Sequence, residues 1–567
     1  MKKIFCLIGI MVAFSSCSDF LEETNRNSIT GDVLYNTPEG YESLVNACYA
    51  YSRAWFGKPE GYAFTELGTD CYTGGGADCG RAPFMAFYTQ DLQGNQDLIG
   101  YMWNTLYNGL NACNTAINRG HSINGLSEDV RNKRLGEVHF LRALYLHLIV
   151  ETWGGVVLYT DEMTAPVNTA QRSSVEDFYT QIFSDLDDAI ALLPSAPVKD
   201  NGRVTQLAAK AFKARMCLYR EKYDEAITLA KEVIATPDLG FYDTFQETFS
   251  MENSEGQTNK EAIWWVDYSE DLALNGTFAE GETPPLRDNG GNGAPLFSSM
   301  SYWMLGGCGV WVTPDTAAPW VQCMPTIAFL NMFDETIDQR YDGTFRTAWY
   351  VNSLTDNYTV EYGEEYGVPG GLQLGDTAFV TLKYAVTDAY RQSKHYKIFD
   401  RNDVYDAEGK TIGTRDYFIS TFKFQDNTKP TGWEYESKRD MFVLRLSEMY
   451  LLLAEAELQT NHINEAVEYM NTLRMKRALP GKEEEMKITA SDMNIDFILD
   501  ERGRELAGEQ QRFFDLTRTG KLIERVKKYN PNAAENIQDF HILRPIPQDE
   551  LDAIVNKDEF LQNPGYN

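Results

Sequence analysis

The chain reads as a mostly α-helical protein interrupted by a long loop-rich, aromatic-rich insertion with minor β structure, and three observations carry that reading. Apolar residues recur at helical spacing through most of residues 37–235 and again through 437–530. Two of these stretches are helix hairpins with one shared pattern. Val204 to Ile234 places small Ala214 and Ala226 around bulky Tyr223, and Leu446 to Arg477 places Ala454 and Ala466 at the same spacing of twelve. Small residues so placed let two helices approach closely, as in tetratricopeptide repeats. Between the helical halves, residues 241–436 hold seven of the ten tryptophans among turn signals without a helical period.

From the N-terminus, Met1-Lys2-Lys3 precedes the apolar run Ile4 to Phe14 and then Ser15-Ser16-Cys17. A basic start, an apolar core too short to span a bilayer and small residues before a cysteine predict an export signal at 1–16 and lipidation of Cys17. An ordinary secretory signal followed by an incidental cysteine is the alternative. Acyl chains at about 0.8 kcal/mol per buried methylene would hold a water-soluble body on a membrane. Ser18-Asp19-Phe20-Leu21-Glu22-Glu23 opens an acidic tether over 17–36, and no later segment has 18 consecutive apolar residues.

Residues 37–567 are expected to form one domain: a helical scaffold at 37–240 and 437–530, a ligand-binding insertion at 241–436, and a C-terminal segment at 531–567. Tyr101 to Asn118 and Lys133 to Val150 with its follower Val175 to Leu193 are further helix candidates. The two clear hairpins start about 240 residues apart, so they can share a scaffold only by meeting in space.

Fifty-one basic against 83 acidic residues give a net charge of −32, which argues against nucleic acid and against electrostatic docking on anionic lipid. A neutral or cationic ligand is the easier partner. Of nine cysteines, Cys6 leaves with the signal and Cys17 is the lipid site. Cys48, Cys113 and Cys217 sit in helical patterns as small hydrophobes, leaving Cys71 with Cys79 and Cys308 with Cys323 as possible disulfides. No zinc helix, nucleophile elbow or phosphate loop is present, so neither an enzyme nor a cofactor is expected. His139 and His147, eight apart on one helix among bulky apolar residues, read as core histidines.

The 13% aromatic content needs a destination. Trp264-Trp265, inside Glu261 to Val266, reads as strand core. Trp303, Trp311 and Trp320 lie on glycine- and proline-punctuated loops, where large rings are either buried plugs or exposed platforms. Exposed rings beside hydrogen-bonding groups suit pyranoses, whose C–H faces are apolar and whose edges are hydroxyls. An earlier loop, Thr69 to Arg81, offers Asp70, Tyr72 and Arg81, which could bracket vicinal hydroxyls. Alternatively Asp70 hydrogen-bonds the backbone of its own turn.

Several stretches together resemble the SusD/RagB family: Cys17-Ser18-Asp19-Phe20-Leu21, Glu137 to Gly155, the hairpin from Gly202, the helix Arg445 to Ala456, Ile498 to Leu506 through Phe513 to Lys521, His541 to Pro547, and Gln562 to Tyr566. The resemblance spans nearly the whole chain. It implies a SusD-like fold with four tetratricopeptide-like helix pairs in a non-enzymatic, lipid-anchored, surface-exposed outer-membrane protein. Such a protein captures a glycan, or in some branches a peptide, and delivers it as the lid of a SusC-like TonB-dependent transporter. By position the resemblance puts Asp70 and Tyr72 of the early loop, and Tyr302, Trp303, Trp311 and Trp320 of the central one, in the ligand site. Glu501, Arg504, Glu505 and Arg518 are expected to form a buried charge network that fixes helix packing.

Overall fold

The computed structural model describes residues 35–567 apart from 78, 80, 81, 166, 270, 272–290, 306, 307, 317, 355–372 and 435. The expected signal, Cys17, the tether up to residue 34 and Arg81 lie outside the described residues. Six helices of 12 residues or more come first: α1 (Pro38–Ala50), α2 (Asp97–Gly120), α3 (Glu128–Trp153), α4 (Val175–Leu192), α5 (Gln206–Tyr219) and α6 (Tyr223–Ile234). After the insertion come α7 (Leu446–Gln459), α8 (Ile463–Lys476), α9 (Ile495–Glu505), α10 (Arg512–Arg518), α11 (Leu522–Tyr529) and α12 (Gln548–Ala553).

Local chemistry sets the starts of these helices. The Ser127 and Thr205 hydroxyls accept the backbone N–H groups of Val130 and Ala208, and Ser174 with Asp177 forms a reciprocal capping box. The α5–α6 and α7–α8 reversals each place a non-glycine residue in the left-handed region, Glu221 at φ 56° and Asn461 at φ 64°. Each helix from α1 to α6 packs on the next, and α6 then packs on α7. The two hairpins, far apart in sequence, thus meet directly. Ala214, Ala226, Ala454 and Ala466 are all fully buried at these contacts.

Short strands fasten the insertion to the scaffold or pair within it. Those of three residues or more are, in chain order, β1 (Tyr72–Gly74), β2 (Ala262–Val266), β3 (Cys323–Pro325), β4 (Ala348–Tyr350), β5 (Thr377–Thr381), β6 (Lys397–Phe399) and β7 (Met441–Arg445). β1 pairs antiparallel with β3, β2 with β7, and β4 with β5, while β6 adds to β5 in parallel. Every residue of β2 is buried, which explains its unbroken apolar run. Trp264 and Trp265 are core there, and the Trp264 indole N–H donates to the Gly202 carbonyl at 3.2 Å.

Below the β2–β7 pair lies the charge network. Glu505 is fully buried and accepts from Arg445 and Arg477 at 2.9 Å each and from Arg340 at 3.2 Å. Glu501 is bracketed by Arg340, Arg474 and Arg504, and Arg518 pairs with Glu455 and Asp515. Sequence reading found Glu501, Arg504 and Glu505 of this network, and Arg518, which pairs apart from it with Glu455 and Asp515, but not Glu261, Arg340, Arg445 or Arg477, which come from distant segments.

Neither possible disulfide forms, because all seven cysteines among the described residues are thiols. Cys323 sits opposite Gly74 in the β1–β3 pair, and a Cβ on Gly74 would lie 2.3 Å from the Cys79 sulfur. Cys79 therefore packs on the strand instead of reaching Cys71.

Burial pushes the Glu66 carboxyl up to about 8 against the pull of Arg512. The folded state then keeps a proton that the unfolded chain releases above its ordinary value of 4.5, so stability falls as pH rises from about 4.5 to 8. Glu66→Gln is expected to flatten that decline in urea unfolding measured across this range. An unchanged slope would show that Glu66 is ionised in the folded protein.

Candidate functional site

The structure divides the sequence-nominated residues into two groups. Asp70 is fully buried, with its Oδ1 accepting from Arg512 Nε and its Oδ2 from Arg512 Nη2 and Arg525 Nε, all at 2.7 Å. Burial alone would raise its carboxyl, but the two guanidiniums override that and hold it down at about 2. Tyr72 is also fully buried, between Phe297 and Phe329, with its hydroxyl 3.1 Å from that of Thr421. Tyr302 stacks on Trp349 with centroids 4.5 Å apart and is likewise closed off from solvent. These three side chains are core, which corrects their reading as ligand groups. The early and central loops nevertheless meet, through the β1–β3 pair and through Arg415, which donates to the Gly76 carbonyl at 2.6 and 2.9 Å.

Trp303 and Trp311 behave differently. Both are partly buried, and both present an edge-on contact to one further ring, Trp433, at 6.0 and 6.2 Å with interplanar angles of 81° and 73°. Trp433 is 41% exposed, so the cluster opens to solvent. Trp320 is half-buried on the same central loop.

The loop backbone is fixed beneath these rings. Asn352 clasps Trp311 from both sides, its Oδ1 accepting the Trp311 N–H at 2.6 Å and its amide donating to the Trp311 carbonyl at 2.9 Å. Gly309, at φ 74°, lets Asn352 and Ser353 donate to its carbonyl. Gly432 brings Trp433 in: its carbonyl accepts from Ala318 at 2.7 Å, and a Cβ there would lie 2.5 Å from the Thr313 carbonyl carbon. Only glycine tolerates that approach. Asp315, on the same loop, pairs with Arg346 at 2.9 Å and also lines an open groove of about 680 Å³ beside exposed Tyr350.

Sequence reading put Trp433 among the insertion's tryptophans but not in the site. The usable signal was its position, directly after the turn Lys429-Pro430-Thr431-Gly432, which is the same glycine-and-ring pattern that singled out Trp303 and Trp311.

The two histidines singled out in the sequence, His139 and His147, both sit in the helical core. Burial lowers His147 to about 3, and its ring packs edge-on against Phe212, Tyr219 and Phe514. His139, Asp185 and Asp188 offer ligand atoms within 4.8 Å of one another, but Arg142 already occupies both oxygens of Asp185 at 2.6 and 2.9 Å.

A family model described as the SusD family matches residues 260–566, just over half of the chain. The chain belongs to the SusD family. A second model, described as starch-binding associating with outer membrane, matches residues 19–218. Among SusD-family relatives, SusD-like protein P25 of Formosa agariphila is 25% identical over 97% of this chain and 96% of its own length. Among solved structures, a laminarin binding SusD-like protein aligns with TM-score 0.68 at 21% identity, covering 94% of this chain and 100% of that one. Surface glycan-binding protein A from Bacteroides thetaiotaomicron, in complex with laminarihexaose, aligns with TM-score 0.65 at 19% identity over 93% and 99%. At such identities these structures establish the SusD-like fold of this chain and leave its ligand to the site itself.

Proposed function

We propose that this SusD-family chain is a surface lipoprotein that binds a glycan chain and passes it to a SusC-like TonB-dependent transporter, for which it serves as the lid. The observation that carries the binding step is the solvent-facing cluster of Trp303, Trp311 and Trp433. Indole faces accept the C–H faces of pyranose rings, and the polar groups of Asp315, Arg346 and the neighbouring groove reach hydroxyl edges. A strongly acidic chain favours a neutral polymer over an anionic one. The laminarin binding SusD-like protein and the surface glycan-binding protein in complex with laminarihexaose support the same ligand class.

An open ring cluster leaves much of the ligand in water, so affinity per sugar is low and grows as an extended chain reaches further contacts. Anchoring at Cys17 supplies the position beside a transporter. The side chains do binding work, not bond cleavage.

Affinity gels containing laminarin, starch, xylan, mannan or galactan test this reading. At least one polysaccharide is expected to retard the protein without releasing reducing sugar, and a barrel-type outer-membrane protein is expected to copurify with it from detergent-solubilised membranes. Migration unaffected by every polymer would sink the glycan reading, release of reducing sugar would make the protein an enzyme, and isolation without a barrel partner would remove the lid.

A further inference from the structure

A second cavity lies on the helical scaffold, built from none of the insertion's residues. It encloses about 250 Å³ between α2, the segment that follows α3, and the C-terminal segment. One wall is aromatic: Trp103 and Tyr107 sit four apart on α2 with centroids 4.6 Å apart, and Tyr159 meets Tyr107 edge-on at 6.1 Å. The Tyr107 hydroxyl donates to the Val157 carbonyl at 2.8 Å, which fixes that ring in place. Phe560 and Ile554 close the far side.

The polar wall is a row of carboxamides on one face of α2, Asn104, Asn108 and Asn111. Asn111 spends its Oδ1 on the Met163 N–H at 2.9 Å. Asn104 and Asn108 are exposed and hold no hydrogen-bond partner among the described residues. Rings flanked by free amides on one helix suit a small ligand with an apolar face and a hydrogen-bonding edge.

Charge narrows the class further. Glu550 lines the cavity and disfavours an anion; burial, with Asp549 adding to it, raises its carboxyl, while the Trp103 indole N–H pulls the other way. Arg172, outside the lining, stands 5.3 Å from the centre of the lining Phe560 ring and adds positive charge that disfavours a cation. What remains is neutral and polyhydroxylated, and the volume suits one ring, not a polymer.

We infer that this cavity is a second carbohydrate site that takes a single neutral pyranose, its C–H groups against the Tyr107 and Tyr159 rings and its hydroxyls on Asn104 and Asn108. The inference rests on the cavity's own lining and stands whether or not the tryptophan cluster binds glycan.

Saturation-transfer NMR on the purified protein, with D-glucose, D-galactose, D-mannose, D-xylose and N-acetyl-D-glucosamine as separate probes, tests it. At least one sugar is expected to receive saturation, and to do so equally in the Trp311→Ala/Trp433→Ala double variant. The transfer is expected to fall at least about fivefold in Asn104→Ala/Asn108→Ala, whose two changes are on exposed side chains and should leave thermal unfolding unchanged, and in Ala553→Trp, which fills the cavity mouth. Transfer to none of the five sugars, transfer that survives either cavity variant, or transfer that disappears with the two tryptophans would each overturn the second site.

Discussion

Asp70→Asn is expected to destabilise the protein by about 3–5 kcal/mol at neutral pH, the usual cost of removing one partner from a buried ion pair. The carboxylate is fully enclosed and serves Arg512 and Arg525 together, so an amide leaves both guanidiniums short of an acceptor. The pH dependence gives a second signature. With its folded value held at about 2 against an ordinary 3.8, Asp70 contributes stability that is complete above about pH 4 and is lost as the pH falls through 2. At 1.36 kcal/mol per unit, that contribution is about 2 kcal/mol. Urea unfolding at pH 7 and pH 3 checks both: the variant should lose stability at pH 7 and show a shallower acid decline than the parent. Unchanged unfolding together with lost polysaccharide retention would restore Asp70 to the ligand site.

Asp70 also shows where sequence reading stopped. Its loop, Thr69 to Arg81, has the composition of a binding loop, and nothing local distinguishes a carboxylate that meets solvent from one that meets an arginine. Its partners Arg512 and Arg525 lie more than 440 residues away along the chain. The helices were legible because their information is local: the spacing of Ala214 and Ala226, or the Thr205 and Ser174 caps, is written within a dozen residues. The meeting of α6 with α7 could be inferred because one hairpin alone cannot bury its apolar face. For the aromatic loops, the residue type was readable but its direction was not. Tyr302 and Trp303 are neighbours in one short turn, yet one stacks into the core on Trp349 and the other faces Trp433. A one-residue step in an irregular loop reverses a ring, and no periodicity exists there to reveal it.

Trp433→Ala should have the largest effect on ligand binding. Its ring is the most exposed of the three and touches both of the others, so its loss removes the outer face of the cluster and uncovers Trp303 and Trp311 to water. An indole face that covers about 50 Å² of a sugar contributes about 1 kcal/mol by area, with a comparable amount from the geometry of the contact. Together these predict a loss of about 30-fold in affinity. Unfolding should change less than for a core tryptophan, because its ring contacts are to the partly exposed Trp303 and Trp311. Gly432→Ala separates the ring from its position: Trp433 stays, but the new methyl meets the Thr313 backbone and the loop must move away from Trp311. Retention in a polysaccharide gel should therefore drop in both variants, whereas Trp264→Ala, deep in the β2 strand, should lower stability and leave the intrinsic affinity of the folded fraction intact. If Gly432→Ala bound as well as the parent, the three rings would be acting as separate contacts, and the fixed geometry set by Gly432 and Asn352 would have no part in recognition.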